Sequence, residues 1–487
     1  MTLDNGVSHP RHLAGLSHFL YAASENRPDK AWHIAAVIEV SGIIEREALV
    51  DLLFERVVKS CPQLRSVVYG DRYSSYKLND LGSDWRPSEL VSVRLLELSD
   101  RELECELEDM IQKPFLAGLP EWEFVIFQGA DKCKIACRFN HSLLDGFSMV
   151  QILLSLTEKE DVVEPPQISK TCKERGFAGN FLCQVWRNFC FILRLIFGGF
   201  FVVYNILIFP LLRDSRSSFA PYGDGRGKNS LRFLPEISVD TLRKVAKSAD
   251  PNATVNDALL AVIGGAVIRY LEISRNFPNR SFDCQTPKTA ATSPDTSPQK
   301  FTGKNCEFPY FCEKMIETPE IARKLSAGFT ANLRGPTNKS WTDILGNRSI
   351  EFYSPVPFSE LLDERIRGIA RYTRFLKNGP LMAVSPLVLR LIDFLFSSKA
   401  QDFFLHVIAG DSYLVARSFQ LSNVPGPSEN RFLLGREISS ITATVNLSQM
   451  FTAFSYRGKL RLVAALDENH IDSSLFFECF QKELAAL

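Results

Sequence analysis

Two strand-like runs joined by a short turn lead straight into a helix, and that order restricts the chain to folds that lay helices against a sheet. The runs Glu121 to Gln128 (EWEFVIFQ) and Lys132 to Phe139 (KCKIACRF) flank a turn at Gly129-Ala130-Asp131. Both are short and rich in strand-favouring side chains. From Gly146 to about Glu158 the period changes to that of a helix, with Met149, Ile152, Leu153 and Leu156 on one stripe. The same alternation appears earlier. His33 to Gly42 reads as a strand. Arg46 to Ser60 reads as a helix with Leu49, Leu52, Leu53, Val57 and Val58 inward, and Cys61-Pro62 stops it.

The later chain repeats the mixture. Arg232 to Ile237 reads as a strand and Val239 to Ser248 as a short helix. Ala253 to Ser274 is the strongest helix, because Leu259, Leu260, Ile263, Val267, Tyr270 and Leu271 fall on one face. Near the end, Ile438 to Asn446, Met450 to Tyr456 and Leu460 to Leu466 read as strands, the last two joined at Arg457-Gly458-Lys459, and Ser473 to Leu487 as a closing helix. The fold class expected is α/β, with mixed sheets flanked by helices in two halves. The division is 1–160, then a crossover at 161–230, then 231–487, with Ser281 to Lys304 a disordered insert because it is rich in Ser, Thr, Pro and Lys.

Composition removes several classes. The 487 residues suffice for two or three ordinary domains. Lys plus Arg and Asp plus Glu both number 56, and this balance argues against a nucleic-acid partner. Eleven cysteines without a framework read as reduced thiols. Cys133 and Cys137 lack nearby ligands, so no metal site is expected. The opening residues have no apolar run of the kind that heads a secretory signal.

One stretch is unusual. Leu195 to Leu212 is 18 residues without a charge, bounded by Arg194 and Arg213, which is the lower limit for a membrane span. A buried core helix is the alternative.

The chemistry centres on Asn140-His141-Ser142-Leu143-Leu144-Asp145-Gly146. A strand ends at Phe139 and a helix begins near Gly146, so His141 lies on the turn between them. Imidazole takes a proton from a hydroxyl near neutral pH because its unperturbed pKa lies close to it. Asp145 also suits the N-cap of the following helix. Three further segments are polar and ordered: Thr254 to Leu260 with Asn256 and Asp257, Leu345 to Arg348, and Leu421 to Pro427 with Ser422 and Asn423. Asn256 and Asp257 also suit a helix cap. Leu421 to Pro427 reads as a rigid turn after a strand at Tyr413 to Gln420.

Taken in order, these motifs resemble the wax ester synthase/diacylglycerol acyltransferase family of the HxxxD, chloramphenicol-acetyltransferase-like superfamily. Its HHxxxDG hallmark matches Asn140 to Gly146, its Asn-Asp helix start matches Asn256-Asp257, and its Asn-Val-Pro-Gly-Pro turn matches Asn423 to Pro427. Leu119 to Phe124, Leu13 to Leu20 and Phe454 to Leu460 resemble other family segments. The departure is Asn140, which stands where the family usually has its first histidine.

The resemblance implies two chloramphenicol-acetyltransferase-like subdomains facing across a central tunnel. It implies an O-acyltransferase moving a fatty acyl group from acyl-CoA, a co-substrate rather than a cofactor, to a long-chain alcohol or diacylglycerol. His141 would be the base. Asp145 would be part of the catalytic motif, with a structural role through an Arg partner. Asn140, Gly146, Asn256, Asp257, Ser422 and Asn423 would bind substrate. Because His141 precedes the apolar stretch and the other motifs follow it, residues 181–212 are expected to be re-entrant or interfacial at the cytosolic face of the endoplasmic reticulum or a lipid droplet. The alternatives are a non-catalytic lipid binder of the same fold, favoured by Asn140, and an acyltransferase for another hydroxyl or an amine.

Overall fold

The computed structural model describes residues 11–13, 15–26, 32–70, 76–159, 219, 229–276, 325–332, 334, 345–378 and 418–487. The apolar stretch 181–212 and the insert 281–304 lie outside them. Among the described residues, no helix is long and apolar enough to cross a membrane.

Among the described residues, two seven-stranded mixed sheets carry the fold. In the first, Lys132–Asn140 lies between Trp122–Gln128 and His33–Ser41, antiparallel to both. Its register runs from His33 opposite Asn140 to Ser41 opposite Lys132. Ile34, Ala36, Ile38, Ile135, Cys137 and Phe139 are buried, as alternating apolar side chains on a covered sheet must be. Helices Arg46–Arg56, Asp100–Gln112 and Gly146–Leu156 accompany this sheet. Gly146–Leu156 ends within two residues of the span that periodicity gives, Arg46–Arg56 stops early and passes into a 3-10 turn at Val58–Ser60, and Asp100–Gln112 is a helix that the sequence reading did not include.

The first sheet is completed from the far end of the chain. Arg436–Val445 pairs antiparallel with His33–Ser41, from Val445 opposite Ile34 to Ile438 opposite Val40. Arg431–Leu433 and Glu158–Lys159 follow it at the edge. Four residues later the chain re-enters the second sheet as Met450–Tyr456, so the two sheets are stitched together covalently beside their central strands.

In the second sheet, Phe419–Pro425 is the middle strand and runs parallel to both Met450–Tyr456 and Leu325–Asn332. Ser422 and Asn423 therefore sit on a strand and not on the rigid turn read from sequence. The Pro-Gly-Pro signal marks the strand's end. Flanked on both edges, Phe419, Gln420 and Leu421 are buried. Helix Val255–Asn276 differs from its expected one-faced pattern, since Ala258 to Ile263 are all buried. It lies beneath helices Val239–Ala249, Leu362–Asn378 and Ser473–Leu484, and a helix covered all round is apolar all round.

A second link joins the halves. Glu104 and Glu108 share one face of helix Asp100–Gln112 and accept the backbone N–H groups of Phe233 (2.6 Å) and Leu231 (2.8 Å). Burial pushes the Glu104 carboxyl up to about 7.

Candidate active site

The strand Lys132–Asn140 ends against the start of its neighbour, and this fixes the turn that follows. The His141 N–H donates to the Trp32 carbonyl at 2.8 Å, and the Leu143 N–H to the Asn140 carbonyl at 3.0 Å. Asn140 is buried, with its Oδ1 accepting from the Ser142 N–H at 3.0 Å and its Nδ2 donating to Glu121. Glu121 in turn accepts from the Tyr21 hydroxyl at 2.7 Å. The asparagine at the family's first-histidine position thus closes the turn from beneath.

Asp145 is fully engaged in holding the turn. One carboxylate oxygen accepts from the Ser148 N–H (3.0 Å) and hydroxyl (2.9 Å), which makes Asp145 the N-cap of helix Gly146–Leu156. The other accepts from Arg334 at 2.7 Å and from the Arg348 N–H at 3.0 Å. The Arg334 and Asp145 side chains are 1% and 4% exposed, so this ion pair is buried. Arg334 also donates to the Gly346 carbonyl (2.6 Å) and the Ser148 hydroxyl (2.9 Å).

His141 itself is half-buried. Its Nδ1 lies 3.0 Å from Asn347 Oδ1, and Asn347 Nδ2 reaches the His141 carbonyl at 2.7 Å, the Ser142 carbonyl at 3.2 Å and the Ser17 hydroxyl at 3.0 Å. Burial lowers the His141 pKa, countered by its own backbone carbonyl, the Asp145 charge and Asn347. The imidazole is therefore neutral at neutral pH. The Ser142 hydroxyl is buried without a hydrogen-bond partner among the described residues, so it is not coupled to His141 as an activated nucleophile would be.

A second histidine lies directly across the sheet. His33 is opposite Asn140 in the ladder and its Nδ1 contacts the Ile111 carbonyl at 2.6 Å, at the C-terminus of helix Asp100–Gln112. Burial, aided by the Arg138 charge, lowers its pKa to about 4.

The remaining expected residues form a neighbouring group. Asn423 Nδ2 donates to Asn256 Oδ1, linking the middle strand of the second sheet to the start of helix Val255–Asn276. Asp257 is buried and spent on structure: one oxygen accepts from the Thr254 N–H and hydroxyl, both at 2.7 Å, and the other from Thr373 at 2.6 Å. It positions Asn256 by capping the helix. Gly146 bridges the two groups, since a Cβ there would stand 3.3 Å from Val424 Cγ2. Ser422 is half-buried on the same strand. Among the described residues, no group of three or more His, Cys, Asp or Glu side chains could hold a metal ion.

Sequence reasoning gave Asn347 no role and did not single out Arg334. Both come from the second half, and the polar run Leu345 to Arg348 was the only hint.

The chain is similar to several known proteins. The WS/DGAT C-terminal domain profile matches residues 346–487, which include Asn347 and Asn423. Wax ester synthase/diacylglycerol acyltransferase 2 of Arabidopsis thaliana is 22% identical over 72% of this chain and 67% of its own length. Wax ester synthase/diacylglycerol acyltransferase 9 of the same plant is 24% identical over 81% of this chain and 82% of its own. Among solved structures, the trichothecene 15-O-acetyltransferase of Fusarium sporotrichioides shares the fold at 12% identity, with a TM-score of 0.57 over 98% of this chain and 94% of that one. In its ordered motifs, its C-terminal domain and these relatives, the chain is similar to the wax ester synthase/diacylglycerol acyltransferases.

Proposed function

We propose that this protein transfers a fatty acyl group from acyl-CoA to the hydroxyl of a long-chain alcohol or diacylglycerol, with His141 as general base. The supporting observation is a neutral, half-buried His141 on a turn held by residues of both halves. His141 takes the acceptor's hydroxyl proton as that oxygen attacks the thioester carbonyl, then returns it to the departing thiolate. Asp145 is not part of the proton path, because its oxygens are already engaged by Arg334, Arg348 and Ser148. Direct transfer needs no covalent enzyme intermediate and no cofactor beyond the acyl-CoA substrate.

Substrates are proposed to meet in a tunnel between the sheets, with Asn256, Ser422 and Asn423 on its wall. Residues 181–212 are proposed to bring its mouth to the cytosolic face of the endoplasmic reticulum or a lipid droplet, where oily acceptors reside. Recovery of the full chain wholly in the soluble fraction without detergent would contradict that placement.

The test of the reaction uses purified protein in detergent with labelled palmitoyl-CoA and, separately, hexadecanol and diacylglycerol. Ester formed with either acceptor supports the reading and ranks the two. Folded protein that forms neither ester sinks it.

A further inference from the structure

We propose that Asn347 is the positioning residue that sets the tautomer of His141, so that the second half of the chain prepares the base carried by the first. The proposal rests on the reading of His141 as the proton acceptor, and it concerns which ring nitrogen is left to do that work.

The amide orientation of Asn347 is fixed by its surroundings. One end faces the carbonyl oxygens of His141 and Ser142 at 2.7 and 3.2 Å, and the Ser17 hydroxyl at 3.0 Å. Carbonyl oxygens only accept, so this end is the NH2 group. Turning the amide over would set its oxygen against two others. The opposite end, Oδ1, then faces His141 Nδ1 at 3.0 Å and can only accept. Nδ1 must therefore carry the proton, and in a neutral imidazole the lone pair is left on Nε2. An unconstrained histidine favours the reverse, with the proton on Nε2 and no lone pair there to take one.

Asn347 is also well placed to be rigid. Gly346 forms a bridge with Leu144, and its carbonyl accepts from Arg334. On the other side, the Arg348 N–H donates to Asp145. The segment is thus pinned on both sides of Asn347 to the turn that bears His141, 206 residues away in sequence. Being neutral, Asn347 orients the ring without the charge by which a carboxylate would favour the imidazolium.

Ring-nitrogen NMR of protein labelled with 15N-histidine tests this directly. The chain has seven histidines, and the His141 signals are those lost in His141→Gln. Above the titration of His141, wild type is expected to show a protonated Nδ1 and an unprotonated Nε2. In Asn347→Ala the ring keeps only the contact with its own carbonyl, so the signals should move part of the way toward mixed tautomers, with kcat/KM for ester formation falling about 10- to 100-fold. Asn347→Asp keeps an acceptor at Oδ1, while its second oxygen has to swing away from the His141 and Ser142 carbonyls. It should keep the Nδ1–H signature while moving the acid limb of the pH profile upward, a shift that mere packing would not produce. A wild-type His141 protonated on Nε2 would overturn the proposal, as would a folded Asn347→Ala with unchanged tautomer and rate. The NMR result stands whether or not ester forms, so it separates this proposal from the assignment of the reaction.

Discussion

Among the described residues, two buried arginine–carboxylate pairs sit under nearly the same conditions, and they do different work. Arg334–Asp145 and Arg365–Glu483 are each 1% and 4% exposed at the side chain. Arg365 lies within the helical layer of the second half, where it also donates to the carbonyls of Ala261, Ser359 and Glu360, while Glu483 also accepts from Arg269. Gly265 leaves the space for it. Arg334 instead crosses between halves to the turn that carries His141. Burial and pairing alone therefore say nothing about function; what matters is which segments a pair ties together.

Substituting the arginines tests that distinction first. Arg334→Met leaves the buried Asp145 without its arginine and should cost about 3–5 kcal/mol in denaturant titrations, whereas Arg365→Met leaves Glu483 paired with Arg269 and should cost less. Specific activity per folded molecule should fall for Arg334→Met and stay unchanged for Arg365→Met. Equal activity losses in the two variants would erase the comparison.

Acid should act on the first half near the turn. The His33 pKa is lowered from 6.5 to about 4, so a neutral His33 stabilises the fold above pH 6.5, and that contribution is lost as pH falls toward 4. At 1.36 kcal/mol per unit, it amounts to ~3 kcal/mol. His33→Gln should flatten the urea midpoint's dependence on pH across this window, and an unchanged slope would show that His33 is not the titrating group.

Glycines sharpen the contrast further. A Cβ on Gly265 would lie 2.2 Å from Glu483 and 2.3 Å from Arg365, whereas one on Gly146 meets only Val424 at 3.3 Å. Gly265→Ala should cost about 1–3 kcal/mol with its activity per folded molecule intact. Gly146→Ala should cost less, by thermal melting, and any activity it loses would come from the pushed Val424. The reverse order of stabilities would mean that the packing around Arg365 yields more readily than its hydrogen bonds imply.

A last pH effect concerns the second link between halves. The Glu104 pKa is raised to about 7, so the native state holds a proton there that the unfolded chain releases near 4.5. Its contribution to stability is complete below pH 4.5 and declines as pH rises to 7. Glu104→Gln should reduce that decline in chemical melts between pH 4.5 and 7, opposite in sign to the His33 effect.

Local chemistry was legible in the sequence where its partners lie close along the chain. The turn at His141 and the N-cap at Asp145 follow from a strand running into a helix within a few residues. Arg334 and Asn347 are 189 and 206 residues from what they hold, and nothing in their own neighbourhoods specifies those partners. The strand Arg436–Val445 was visible, yet its place in the first sheet depends on pairing with His33–Ser41, which alternation alone does not encode. Phe419–Pro425 was misread because proline and glycine at its end outweighed a short, doubly flanked strand. Asn140 shows a further limit. As a motif letter it suggested lost function, whereas its bonds to Glu121 and the Ser142 N–H show a working part of the turn.

The central claim is that His141 is the base, and ester formation by His141→Ala and His141→Gln, compared with wild type at matched folded fraction, tests it most directly. Loss of the general base should lower the turnover of labelled palmitoyl-CoA with the better acceptor by about 10²–10⁴-fold, with unfolding midpoints close to wild type. Turnover that survives both substitutions in folded protein would contradict the assignment and require the proton to be taken elsewhere.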